Sequence, residues 1–98
     1  MSLPVHIHEA AEAEIEEAVD VYDVESAGLG DVFTTEIQHA IERISRHPHA
    51  APIARGSLRA KTLTKFPYSL VYFIGQNEIT LLAVAHQSRR PFYWTSRL

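Results

Sequence analysis

The sequence predicts an α+β fold in which a two-helix hairpin packs on one face of a twisted, mainly antiparallel sheet, in the order βααβββ with a short C-terminal tail. Three observations lead there. Between about residue 9 and Pro48, apolar side chains recur every three or four positions. From residue 58 to 85 they alternate or run unbroken in pieces of strand length, and glycines and prolines fall at the boundaries. At 98 residues the chain makes a single domain, residues 1–98, whose core is limited to two layers.

The elements follow in order. "VHIH" alternates, with Val5 and Ile7 on one side and His6 and His8 on the other, as a strand does. From about Glu9 the period lengthens: Ala11, Ile15, Ala18, Val19 and Tyr22 form one stripe, while Glu12, Glu14, Glu16, Glu17, Asp20 and Asp23 take the solvated faces of an amphipathic helix. This helix is expected to end near Gly28. A second opens around Asp31, carries Phe33, Ile37, Ala40, Ile41 and Ile44 on one stripe, and must stop before Pro48, because proline disfavours helical geometry in the residue before it. "PHAAPIARGS" reads as a loop. "LRAKTL" alternates, with Arg59 and Lys61 opposite Leu58 and Ala60; "YSLVYFI" is apolar on both faces and suits a central strand; "GQNE" turns the chain into "ITLLAVA". Strict alternation sends Leu70, Tyr72, Leu82 and Val84 toward the helices.

Charge is unevenly spread. The net charge is −3, yet residues 1–54 hold eleven carboxylates against Arg43 and Arg46, a balance of −9, and residues 55–98 hold seven cations against Glu78, a balance of +6. A basic rear half points to an anionic partner. The absence of cysteine rules out disulfides and thiolate metal sites. "MSLPVHIHEA" lacks the pattern of a secretory signal, and "LVYFI" is far short of a membrane span, so a cytoplasmic protein with no membrane partner is expected. "HIH" and "HPH" resemble metal-ligand pairs, but no third donor stands at a useful spacing, so no metal and no cofactor are predicted. In "HQSRRPFYW" the aromatics Phe92, Tyr93 and Trp94 are expected to anchor the tail, with Pro91 stiffening it and His86, read as sharing a face with Leu82 and Val84, hydrogen-bonded beneath it. Arg89, Arg90 and Arg97 would then join Arg59, Lys61 and Lys65 in one target-binding surface.

"AIERISRHP", "LTKFPYSLVYFI" and "LLAVAHQSRRPFYWTSR" together resemble the RelE/ParE superfamily of toxins from bacterial type II toxin–antitoxin modules, closest to its ParE branch. The resemblance implies a plasmid-stabilisation type of toxin held inactive by a cognate antitoxin in a hetero-oligomer. It also implies one of two activities. ParE-like toxins block DNA gyrase without catalysis. RelE-like toxins cut messenger RNA on the ribosome, and here Arg59, Lys61, Arg89, Arg90 and Tyr93 would be the catalytic candidates. Nuclease relatives carry an arginine where this chain has Ser69, and their tails are spaced more widely from the arginines to the tyrosine. The expectation is therefore a gyrase inhibitor, with the ribosome-dependent endoribonuclease as the alternative. A degenerate member kept as an antitoxin-binding module is the third reading.

Overall fold

The computed structural model describes residues 2–98. Along the chain lie β1 (Val5–Ile7), α1 (Glu9–Glu25), α2 (Leu29–Arg46), β2 (Ile53–Arg55), β3 (Leu58–Thr62), β4 (Tyr68–Ile74), β5 (Ile79–His86) and a 3₁₀ turn, Tyr93–Arg97. The sheet order is β1-β5-β4-β3-β2. Its neighbours are antiparallel except for β1 and β5, which run parallel with Val5 opposite Ile79. The doubly apolar β4 takes the central place that its sequence suggests.

Local chemistry sets the helix boundaries. The Nδ1 of His8 accepts the N–H of Ala10 at 3.0 Å, so an imidazole caps α1 where Ser, Thr or Asp is usual. α1 stops at Glu25, three residues short of Gly28, and α2 begins at Leu29 rather than around Asp31. The tight link depends on Gly28 at φ 85°, left-handed backbone that favours glycine, and on Asp23, whose carboxylate accepts the N–H of Gly30 at 2.8 Å. A β-carbon at Gly30 would stand 2.7 Å from that carboxylate. α2 ends at Arg46, ahead of Pro48.

The helices cover one face of the sheet. Ala11, Ala18, Phe33, Ile37, Ala40 and Ile44 are buried there against Leu70, Tyr72, Ile79, Leu81 and Val84, with Ile15, Val19, Tyr22 and Ile41 packed at the margin. Tyr22, Phe33, Phe66 and Tyr68 form an aromatic knot with tilted and edge-on contacts, ring centroids 5.0–6.3 Å apart. The opposite face buries Leu58, Val71, Leu82 and Ala83 beneath Trp94 of the tail.

Two expectations need correction. Ile53–Arg55, within the expected loop, forms an edge strand, so the sheet has five strands rather than four. Leu82 also turns away from the helices. Val71 pairs with Ala83 and Tyr72 with Leu81, leaving Leu82 as the extra residue of a β-bulge. Leu81 and Val84 therefore both face the helices, and Leu82 and Ala83 both face Trp94. His86 shares a face with Val84 and not with Leu82.

Candidate functional site

The tail leaves β5 through a turn built around His86. Its Nδ1 accepts the N–H of Ser88 at 3.0 Å and lies 2.8 Å from the Ser88 hydroxyl, and its half-buried ring meets Tyr68 edge-on at 4.9 Å. The N–H of Gln87 donates to the carbonyl of Pro67. After Pro91, Phe92 adopts left-handed backbone at φ 62°, unusual for an aromatic residue. Its ring packs edge-on against Trp94 at 5.7 Å and carries the Arg55 guanidinium 4.6 Å from its centroid. Trp94 is buried, while Phe92 and Pro91 stay exposed.

The remaining anchor is Glu14. β1 covers only the first part of β5, and past Leu81 the outer edge of β5 has backbone groups to satisfy. The Glu14 carboxylate of α1 accepts the N–H of Val84 at 3.0 Å, and Arg97 donates to the carbonyl of Leu82 at 3.1 Å. Arg97 and Glu14 then pair in bidentate fashion, at 2.8 and 3.0 Å, as the one ion pair among the described residues. The Tyr93 hydroxyl donates to the same carboxylate. Burial opposes ionisation of Glu14, but the hydrogen bonds from Arg97, Tyr93 and Val84 outweigh it and hold the carboxyl below its ordinary range. For Tyr93, burial first and then the bond to Glu14 push the phenol up to about 12. The bond to Glu14 raises Arg97 as well. This cluster ties α1, β5 and the tail together and closes an edge open to pairing.

The basic residues do not converge. Arg59 and Lys61 stand opposite Tyr72 and Leu70, which places them on the helix face of the sheet. Arg59 donates to the carbonyls of His49 and Ala51, at 3.2 and 2.7 Å, and holds down the loop before β2. Lys61 and Lys65 line a groove beside α2 together with Arg43 and Arg46. Arg97 is engaged by Glu14. Exposed at the tail are Arg90 and Arg89, the latter 4.2 Å over the Tyr93 ring. Ser69 faces Thr62, with their hydroxyls 3.4 Å apart. The sequence reading does not single out Arg43, Arg46, Arg55 or Glu14. Glu14 does carry a signal: it lies three residues after Ala11 and four before Ala18, on the buried stripe. Its place there departs from the solvated role expected for it.

His8 is committed to capping α1, and among the described residues no group of three or more His, Cys, Asp or Glu stands close enough to hold a metal ion. None of the described helices is long and apolar enough to cross a membrane. The family model described as "ParE toxin of type II toxin-antitoxin system, parDE" matches residues 5–91. The chain belongs to the ParE toxin family. No curated protein matches it. Among solved structures, the "Chromosomal ParDE TA system from P. aeruginosa" is similar, with a TM-score of 0.66 and 18% identity over 87% of this chain and 96% of that one. That likeness shows a shared fold. The match to the ParE family stops at Pro91, so the parts given to Phe92, Tyr93, Trp94 and Arg97 rest on their geometry.

Proposed function

We propose that this ParE-family toxin arrests growth by binding and inhibiting DNA gyrase in the cytoplasm, without catalysis or a cofactor, and that a cognate antitoxin neutralises it in a hetero-oligomer. The observation that carries this reading is the engagement of Tyr93. Cleaving RNA through the ribose 2′-hydroxyl needs a base at that hydroxyl and cations around one phosphate. Tyr93 is the tail residue suited to the first task, and its phenol is occupied by Glu14 and pushed up to about 12. Ser69 is neutral, and Arg59 and Lys61 lie on a different face from Phe92 and Trp94. What remains at the tail is a binding surface. Arg89 and Arg90, with Arg55 held over Phe92, present positive charge beside an exposed aromatic ring, a combination common at interface hot spots. Lys65 and the groove cations lie apart from it. Inducing the chain alone in a bacterium tests the reading: a DNA-damage response with intact messenger RNA is expected, and rapid messenger RNA decay without that response would overturn it.

A further inference from the structure

The tail covers only part of the sheet face that points away from the helices. Trp94 closes over Leu58, Val71, Leu82 and Ala83, while Ser69 and Ala85, partners across β4 and β5, stay half-buried beside it. A cleft of about 250 Å³ opens there, floored by Ala60, Ser69, Val71 and Ala85 and walled by Phe92, Tyr93 and Trp94. Arg89 and Arg90 line it and are exposed, and no described carboxylate lines it. Arg89 also borders the cleft of about 210 Å³ that Glu14 and Glu17 line, where carboxylates offset its charge; in the sheet cleft none does. Phe92 is held under strain. Left-handed backbone at a residue other than glycine persists only where its surroundings fix it, and such residues cluster at binding sites. The edge-on contact with Trp94 and the Arg55 guanidinium over the ring do the fixing here.

We propose that this cleft is the anchor pocket of the gyrase contact: it takes one apolar side chain of gyrase, flanked there by carboxylates that pair with Arg89 and Arg90. This assignment rests on the gyrase-inhibitor reading and names the chemistry that the tail recognises. Size sets one part of it. Pockets for whole small-molecule ligands run to about 300–1,000 Å³, so a cleft of about 250 Å³ suits a single side chain presented by a protein. The lining sets another, because alanine, serine and valine leave room above the sheet and three aromatic rings beside them give an inserted apolar group the dry contacts of an interface hot spot. Charge sets the flanks: two exposed arginines with no described carboxylate beside them attract an acidic segment. A nucleic-acid strand fits less well. It needs cations along its path, and Arg59 and Lys61 lie on the opposite face of the sheet.

Trp94 walls the cleft and is the sole tryptophan, so its emission reports on occupancy. An acetylated Asp-Glu-Phe-Glu-Asp amide, titrated into the whole unsubstituted protein, should shift that emission and move the amide signals of Ser69 and Ala85. The same peptide with Gly for Phe, or with Asn and Gln for the acids, should bind roughly tenfold more weakly. Ser69→Phe fills the cleft from its floor with a residue that strands favour. It should abolish the peptide response and raise the concentration that inhibits gyrase supercoiling by roughly tenfold to a hundredfold, with Tm showing that the variant is folded. Unmoved signals in the unsubstituted protein, undiminished inhibition by folded Ser69→Phe, or tighter binding of a short single-stranded RNA at the same residues would overturn the proposal. Failure of the gyrase reading shows separately, as an unsubstituted chain that binds the peptide yet leaves supercoiling intact, and that result overturns the pocket's assignment to gyrase.

Discussion

Replacing Glu14 with alanine removes the acceptor for three donors at once: the N–H of Val84, the Arg97 guanidinium and the Tyr93 hydroxyl. The side chains of Arg97 and Glu14 are 18% and 13% exposed, so the pair is mostly desolvated and water compensates only in part. A hydrogen bond to a charged group contributes about 1.5–3 kcal/mol net, and leaving one member of a buried pair unpartnered costs about 3–5 kcal/mol. Since Arg97 and Tyr93 lie near the surface and can turn toward water, the expected loss is about 2–4 kcal/mol. For a domain of this size, that lowers Tm by on the order of 10–25 °C. Glu14→Gln keeps an acceptor for Val84 and should lose about half as much. Trp94, the sole tryptophan, reports on the tail directly: its emission should shift to the red in Glu14→Ala as the 3₁₀ turn lifts from Leu82 and Ala83. The pH dependence has a definite sign. The folded carboxyl titrates below its ordinary range, so its contribution is present above the unfolded pKa and is lost as pH falls through the folded value. Glu14→Gln should flatten that acid limb. A Glu14→Ala protein within about 0.5 kcal/mol of the parent, the range of an ordinary surface change, would refute the reasoning.

Tyr93 gives the alkaline counterpart: with its phenol pushed up to about 12, the stability it contributes is present below pH 10 and is lost as pH rises toward 12, a loss that Tyr93→Phe should remove from an alkaline unfolding series. Neutralising Arg89 and Arg90 together should weaken gyrase inhibition in a graded, salt-sensitive way, seen as a shift in the inhibitory concentration at several ionic strengths, with no single residue indispensable. Ser69→Arg should fold, since Ser69 pairs with Ala85 across the sheet beside Thr62, and should still leave ribosome-bound messenger RNA intact. Gly28→Ala should cost about 1 kcal/mol in chemical denaturation, because φ 85° suits glycine alone.

The fold was legible where periodicity and punctuation agree. "YSLVYFI" coincides with β4, and Gly75–Glu78 turns the chain as "GQNE" suggests, the N–H of Gly75 donating to the carbonyl of Glu78. β2 was not legible because three residues at a sheet edge, with Ile53 60% exposed, carry no alternation to read. The bulge at Leu82 has no sequence mark either, since Leu-Leu-Ala-Val fits a buried strand in either register. The charge split was visible, but its division between two faces depends on the cross-strand partners of Arg59 and Lys61, which only the sheet register supplies. Arg97 reads as a free cation because its partner lies 83 residues away. Glu14 could have been read otherwise from its place on the apolar stripe.

The central claim is that this ParE-family protein is a binder of gyrase and not a nuclease. Purified chain added to DNA gyrase with relaxed plasmid tests it most directly. The account predicts dose-dependent loss of supercoiling by the unsubstituted protein. Full supercoiling activity at every dose, together with codon-specific cleavage of messenger RNA when the same preparation meets translating ribosomes, would contradict it.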